Sequence, residues 1–206
     1  MDALAKLFEG VPSSIISDIM RRIVGARTLV PRHASGGLVG TAYTVKVRSG
    51  DNLYIHDALR KIQPGQVLVV DGEGHTDRAL VGEIMMSAAR MRGVAGFVIY
   101  GSIRDSDAFS AQNFPCYSKG ITHQGPLKNG PGELNVPVAI DGCVVNPGDI
   151  VVGDPDGVVF IPRDQAEEVA AASRKKMAAE AAVLAGIAKG EYDDAWIDGA
   201  LKAQLV

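Results

Sequence analysis

A chain of 206 residues with 47% hydrophobic content can bury one sizeable core, and its net charge of -3 is too small to mark nucleic acid or an acidic membrane as a partner. Aromatic residues make up 5%, too few for a platform that stacks single-stranded bases, and Cys116 and Cys143 stand alone rather than at metal-ligand spacing. The opening MDALAKLFEG lacks the basic-then-apolar pattern of a secretion signal and no apolar run reaches membrane-spanning length, so the expectation is a cytoplasmic protein with no membrane or nucleic-acid partner.

Residues 1–24 read as one or two short helices. After Pro12, the residues Ile15, Ile16, Ile19, Met20 and Ile23 share a helical face, with Ser13 or Ser14 as cap and Asp18 solvated off the stripe. Gly36, Gly37 and Gly40 punctuate a loop before TAYTVKV (41–47), a strand by composition and alternation. RSGDN (48–52) is a turn, and Leu53, Ile55, Ala58, Leu59 and Ile62 mark a helix over 52–62 that Pro64-Gly65 ends. QVLVVDG (66–72) is almost wholly apolar, as suits a strand covered on both faces.

The stretch from Arg78 to Asp107 reads as a helix, a buried strand AGFVIYG (95–101) and a polar turn. Gly82 and Glu83 open that helix, Ile84, Met85, Ala88, Ala89 and Met91 form its inward face, and Gly93 closes it. Strand, helix and strand in this order imply parallel strands joined by a right-handed crossover. Residues 111–133 are rich in Gly, Pro, Asn and Lys without periodicity, which predicts a functional or subunit-contacting loop with short strands. VPVAIDG and three further short strands follow, separated by turns at Asp141-Gly142, Pro147-Gly148-Asp149 and Asp154-Pro155-Asp156-Gly157. From Asp164, a cap with Glu167 and Glu168 in the first turn, a long helix begins whose length predicts packing along a neighbour. The tail around Trp196 reads as another short helix. One domain over 1–206 results, with its core at about 10–163 and C-terminal helices at about 164–206.

The charged ends of the 78–107 stretch carry the chemistry. Ligands of open α/β sheets gather beyond the carboxyl ends of strands, and Arg104 and Asp105 follow strand 95–101 directly. Gly82 sits at a helix start, where unpaired amides attract carboxylate or phosphate and the absent side chain permits close approach. Arg104 offers a planar fork for a carboxylate or a developing oxyanion. Asp105 offers an oxygen to a hard divalent cation, with Glu83 assisting through a bound water. A turn with a local ion pair, beside a first-turn acid favoured by the helix dipole, is the plainer reading of the same residues.

His33, His56, His75 and His123 show no paired spacing. His33 and His56 read as surface or loop residues; His75, after a buried strand, and His123, in the irregular loop, are candidates for a pocket wall. Asp71, Asp154 and Asp156 read as turn residues. Cys116 and Cys143 have no neighbouring base and do not read as nucleophiles.

VLVVDGEGHTDRALVGE, AGFVIYGSIRDSDAF and VNPGDIVVGDPDGVVFIP together resemble the RraA-like family, over about residues 10–185. The family includes the 4-hydroxy-4-methyl-2-oxoglutarate/4-carboxy-4-hydroxy-2-oxoadipate aldolases, which carry an acid, twenty intervening residues and then Arg-Asp. Glu83, residues 84–103 and Arg104-Asp105 fit that pattern. The resemblance implies an α/β fold, an α/β/α sandwich of the swivelling-domain type with a C-terminal helical tail. It implies a metal-dependent (class II) pyruvate aldolase that cleaves such 4-hydroxy-2-oxo acids to pyruvate plus a keto acid, with oxaloacetate decarboxylation as a side activity.

By the same resemblance Asp105 is the ligand of a magnesium or manganese ion, and Arg104 binds the 2-keto acid and steadies its enolate. Gly82, Glu83, Ile84 and Met85 form the segment whose backbone amides hold the pyruvyl moiety. Glu83 also stands where an Asp is common in the family, ordering metal-bound water, and its greater length alters that outer shell. Family members assemble as trimers or hexamers, often with a glutamate from a neighbouring subunit's C-terminal region; Glu180 and Glu191 are the candidates here. The chemistry needs no Schiff-base lysine, so Lys46 and Lys61 receive no role. Some RraA-like proteins instead bind and inhibit an RNA-degrading endonuclease and can lack the acid of the Arg-Asp pair. That non-catalytic regulator is the alternative, and Asp105 argues against it. VLVVDGEG also resembles the first glycine motif of methyltransferases, but it is one glycine short and does not feed a helix directly.

Overall fold

The computed structural model describes residues 2–22 and 24–203; Ile23, assigned above to a helical face, lies outside the described residues. Two short helices open the chain, α1 (Ala3–Lys6) and α2 (Ser13–Ile19). Asp2 caps α1 by accepting the Leu4 and Ala5 amides. The start of α2 is capped from a distance, because the Asp154 carboxylate accepts the Ser13 amide and the Ser13 hydroxyl, each at 2.7 Å. Asp154 thus joins a helix start to a far turn, in addition to receiving Asp156 N within that turn. Asp154→Ala is expected to lower stability by about 1–2 kcal/mol, the value of a lost cap. Urea unfolding checks this through a lower midpoint at unchanged slope. Asp18 is likewise more than a solvated residue: it pairs with Arg22 at 2.9 Å and with Lys176.

The strands and helices of the core follow in order. β1 (Val30–Pro31) and β2 (Leu38–Val47) lead to α3 (Leu53–Lys61) and β3 (Gln66–Asp71). β4 (Ala79–Val81) runs into α4 (Glu83–Met91), then β5 (Gly96–Ile103) and α5 (Ser106–Ala111). β6 (Cys116–Ile121) and β7 (Gly132–Leu134) lie inside the stretch read as irregular. The last strands are β8 (Val138–Ile140), β9 (Cys143–Val145), β10 (Ile150–Asp154) and β11 (Gly157–Ile161). α6 (Ala166–Ile187) and α7 (Trp196–Ala203) form the C-terminal tail.

The main sheet runs β1-β6-β5-β3-β2-β10-β11, with β4 beside β5 and β7 beside β2. β2, β3, β5 and β6 are parallel neighbours, as the strand–helix–strand pattern requires, and β10 and β11 join antiparallel. The sheet curls until it nearly closes. Ala26 bridges Val158 on β11 while Val30 and Pro31 pair with β6, so one short segment ties both edges. Tyr117 of β6 reaches across the interior and donates its hydroxyl to the Asp154 carbonyl at 3.0 Å. Gly153 makes room for that ring, since a Cβ there would stand 2.7 Å from it.

Burial of β3 on both faces shows the layering. Leu68 and Val70 pack with Ile55 of α3, Met86 of α4 and Phe109 of α5. Val67 and Val69 turn the other way, toward Tyr117, Val151, Phe160 and the β8–β9 hairpin. A third cluster seats α1, α2 and the start of α6 on β10 and β11 through Phe8, Ile16, Ile150, Ile161 and Val169. Helices therefore cover the outer face in two groups, and the sheet's own side chains fill the inside. Two residues of the face assigned to α4 are displaced: Ile84 is 80% exposed and Met91 76%, while Met85, Met86 and Ala89 are buried. Ile84 and Met91 are a heptad apart and share the flank turned away from the core.

α6 is buried only along its first turns, at Ala166, Val169, Ala170 and Ser173. Val183, Leu184 and Ile187 are exposed further along it, as are Trp196, Ile197 and Leu201 on α7. The helix outruns the core of its own chain, as its length foretold. No described helix is long and apolar enough to cross a membrane.

Candidate active site

β4 lies parallel to the far end of β5, with Ala79 opposite Ser102 and Val81 opposite Ile103. Both strands end at one rim, where the chain enters α4 at Gly82 on one side and turns at Arg104-Asp105 on the other. The Arg104 amide donates to the Val81 carbonyl at 3.0 Å and locks the two ends together. Asp105 takes a left-handed backbone, φ 55 and ψ 40. Aspartate tolerates that region better than most residues, and such strain gathers at functional sites. It holds the N-cap position of α5 without capping that helix. Its Oδ2 instead accepts the Glu83 amide at 3.0 Å and lies 3.6 Å from Arg104 Nε.

Gly82 fits between these groups. A Cβ there would stand 2.5 Å from Asp105 Oδ2, with Arg104 Cγ at 2.9 Å and Arg104 Nε at 3.0 Å. The demand is for space alone, because its φ of -152 is open to any residue. Met86 N bonds back to the Gly82 carbonyl at 3.0 Å, and the Glu83 amide goes to Asp105. Helix geometry leaves open the first-turn amides of Ile84 and Met85. Gly82, Ile84, Met85 and Arg104 line a cavity of about 230 Å³. Its opposite wall comes from Asn52 and His56 and from Pro126 and Lys128. A larger hollow of about 540 Å³ between α1 and α6 has no such convergence, and its Arg174 is engaged with the carbonyls of Leu7 and Glu9.

The structure thus brings Gly82, Arg104 and Asp105 together with the amides of Ile84 and Met85. The Glu83 carboxylate points elsewhere, accepting Gln112 Nε2 at 3.4 Å, outside the cavity wall. Its backbone amide is what ties it to Asp105. Glu180 pairs with Lys176 at 3.6 Å on α6, and neither Glu180 nor Glu191 contributes to this cavity. His56, read above as a surface residue, lines the cavity, whereas His75 and His123 do not. Burial, and secondarily the Lys128 charge, hold the His56 imidazole below its ordinary pKa, which favours its neutral form.

Asn52, His56, Pro126 and Lys128 escaped the sequence reading. One signal was available: Asn52 and His56 are four residues apart, on one side of α3. The loop carrying Pro126 and Lys128 reads in the sequence as functional or subunit-contacting, but its docking point is not legible there. That point is the Asp51 carboxylate, buried while accepting the amides of Leu53 at 2.9 Å, Asn129 at 2.6 Å and Gly130 at 3.0 Å. Asp71 also exceeds a simple turn, receiving Glu73 N at 2.9 Å and Ala139 N at 3.3 Å. Burial pushes the Cys116 thiol pKa far up, consistent with an inert core residue.

Among the described residues no group of three or more His, Cys, Asp and Glu converges as a metal cage. The donor set at the rim is the Asp105 carboxylate, with room around it. That suits a magnesium-type ion, which uses one or two carboxylates and completes its shell with water and substrate oxygens. It does not suit a structural zinc, which takes four protein ligands.

The Aldolase/RraA model of the RraA-like family matches residues 13–160. This chain belongs to the RraA-like family. A relative from Halalkalibacterium halodurans, provisionally named a 4-hydroxy-4-methyl-2-oxoglutarate aldolase, is 40% identical over 172 residues, 83% of this chain and 82% of that protein. An uncharacterized protein from Pseudomonas syringae superposes with a TM-score of 0.83 at 26% identity, over 92% of this chain and 94% of its own. The RNA-processing inhibitor RraA from Thermus thermophilis gives 0.67 at 27% identity, over 73% of this chain and 92% of its own. The shared RraA-like fold thus accompanies both an aldolase name and an inhibitor name.

Proposed function

We propose that this RraA-like chain is a class II, metal-dependent pyruvate aldolase, a carbon–carbon lyase. Its substrates are 4-hydroxy-2-oxo acids such as 4-hydroxy-4-methyl-2-oxoglutarate or 4-carboxy-4-hydroxy-2-oxoadipate. One observation carries the reading: Asp105, bonded to the Glu83 amide at the start of α4, stands beside Arg104, which lines one cavity with Gly82, Ile84 and Met85. The name of the 40% identical relative supports the same class. Magnesium or manganese bound at Asp105 would supply Lewis-acid polarisation of the substrate's keto oxygen.

The chain's own groups account for the rest. The Ile84 and Met85 amides receive the C1 carboxylate, as helix starts receive anions. Arg104 donates to the C2 keto oxygen. As the C3–C4 bond breaks, the C4 hydroxyl gives its proton to a water molecule and C4 becomes a carbonyl. The electron pair of the broken bond passes into the C2–C3 enolate, whose oxygen lies against Arg104. Return of that proton from the water to C3 then gives pyruvate. The Arg104 charge meets more negative charge in the transition state than in the bound substrate, the condition for catalysis. Decarboxylation of oxaloacetate leaves the same enolate, so it is the expected side activity.

With its carboxylate turned to Gln112 outside the cavity, Glu83 would reach only water at the outer edge of a bound ion's shell. The exposed apolar face of α6 and α7 supports assembly as a homotrimer or homohexamer, with Glu180 or Glu191 offered to a neighbouring site. The two free cysteines suit a cytoplasmic location.

Pyruvate release from 4-hydroxy-4-methyl-2-oxoglutarate and from oxaloacetate tests the reading. Turnover on both should fall by about 100-fold or more with a chelator and return with magnesium, because the ion's charge stabilisation is worth several kcal/mol. Turnover indifferent to metal, or none on either substrate, would sink the proposal. A nuclease-inhibiting protein would instead keep its activity in Asp105→Ala.

A further inference from the structure

The cavity beside Arg104 carries a second cation, Lys128, and no acid stands among the described residues that line it. Arg104 has Asp105 at 3.6 Å, but among the described residues no carboxylate pairs with Lys128. The backbone beneath this free side chain is nevertheless held on both sides. Before it, the Leu127 amide donates to the Gly50 carbonyl at 2.8 Å and the Leu127 carbonyl accepts Asn52 N at 3.0 Å. After it, Asp51 Oδ2 accepts the amides of Asn129 at 2.6 Å and Gly130 at 3.0 Å. Oδ1 of the same carboxylate accepts Leu53 N at 2.9 Å, at the start of the helix that carries His56. Asp51 is 1% exposed, so bonds to its charge are strong and costly to break. One buried carboxylate thus fixes both segments of the far wall. The loop also passes Arg104, since a Cβ on Gly125 would stand 3.6 Å from Arg104 Nη1. From Gly125 to Lys128 the chain spans at most about 11 Å.

Two cations at one cavity, with no acid between them, match a molecule that carries two separated anionic groups. The proposed mechanism uses Arg104 and the amides of α4 at the pyruvyl end and leaves Lys128 without a role. Resting on the aldolase reading, we propose that Asp51 is a positioning residue that holds Lys128 where its ammonium receives the distal carboxylate of the substrate. The two residues select diacids over 2-oxo acids that end in an apolar group. Lysine is a flexible point charge, and a backbone fixed in advance lowers the cost of bringing it to a ligand. Only a substrate with an anion at its far end draws on that fixed charge.

Lys128→Met and Asp51→Asn test the proposal through a ratio, kcat/KM for 4-hydroxy-4-methyl-2-oxoglutarate over kcat/KM for 4-hydroxy-4-methyl-2-oxopentanoate, in which a methyl replaces the distal carboxylate. Lys128→Met should lower the ratio about tenfold, the loss expected for one hydrogen bond between charged groups, and Lys128→Arg should keep most of it. Asp51→Asn should lower the ratio at least about threefold, as expected when a binding group is displaced. In the Lys128→Met background the same substitution should leave the ratio unchanged, because both residues act through one ammonium. Both rates are read on the same protein, so a partly misfolded variant does not bias the ratio, and Asp51→Ser takes the place of Asp51→Asn should that variant not fold. A purely structural role of Asp51 would lower both rates alike. A ratio unmoved by Lys128→Met overturns the inference, and one unmoved by Asp51→Asn, or lowered equally in both backgrounds, overturns the positioning role. Absence of turnover by the wild-type chain on both substrates would overturn the aldolase reading instead.

Discussion

Arg104→Ala should lower kcat/KM for pyruvate release by about 10²–10³-fold, with the unfolding transition almost unmoved. The side chain is 44% exposed, and its ion pair with Asp105 is long, at 3.6 Å, and equally open to solvent. Exposed pairs of this kind contribute about 0–1 kcal/mol to folding. The structural tie at this position is the backbone bond from the Arg104 amide to Val81, which alanine keeps. On the proposed mechanism, alanine removes the donor fork over the oxygen where the enolate charge develops. Arg104→Lys should recover only part of the activity, because an ammonium restores the charge without the planar pair of donors. Thermal unfolding and steady-state pyruvate release on the same samples make the check. Loss of stability in step with activity would mark Arg104 as a structural residue and remove it from the mechanism.

Gly82→Ala should be nearly as damaging from a position with no functional group at all. The added methyl would stand 2.5 Å from Asp105 Oδ2 and 2.9 Å from Arg104 Cγ. Neither neighbour can yield without cost. Asp105 sits in a strained left-handed backbone and is bonded to the Glu83 amide. Arg104 is pinned by its amide to the end of β4. Overpacking of this kind costs about 1–3 kcal/mol of stability. The displacement moves the proposed metal ligand and the keto-acid donor together, and a shift of about 1 Å can cost about 100-fold in rate. Urea midpoints and pyruvate release report the two losses. Because φ at Gly82 suits any residue, activity retained in Gly82→Ala would show that the close approach of Asp105 to the start of α4 is not needed for the chemistry.

The two positions differ in how far the sequence announced them. Arg104-Asp105 was legible because a charged dipeptide directly follows an apolar strand, and Gly82-Glu83 because glycine and an acid open a helix. The interval between them, filled by one helix and one strand, was legible as a crossover that returns the chain to the same side of the sheet. Nothing in the composition of Ala79–Val81 announced a strand. It becomes β4 only because β5 runs past the end of β3 and offers it that edge. β6 falls among the short strands expected over 111–133, but its bounds were not legible for a related reason. Its CYSKGI is half polar, and Ser118 can be buried there because Arg32 donates to its hydroxyl and carbonyl.

By itself the sequence determined the α/β class, the buried two-faced strands QVLVVDG and AGFVIYG, the long C-terminal helix and the acid-to-Arg-Asp interval. These are periodic or local properties, written in residues that are neighbours in the chain. The tertiary structure alone decided that Asp105 turns its carboxylate to the Glu83 amide rather than to its own helix. It decided that the Glu83 side chain leaves the cavity, and that Asn52, His56 of α3 and Lys128 all line it. It also decided that Tyr117 and Asp154 nearly close the sheet. Each of these joins residues from separate segments whose mutual approach follows from the packing of the whole sheet. Burial and the pairing of every backbone donor select that approach, and neither is expressed within a single stretch of sequence.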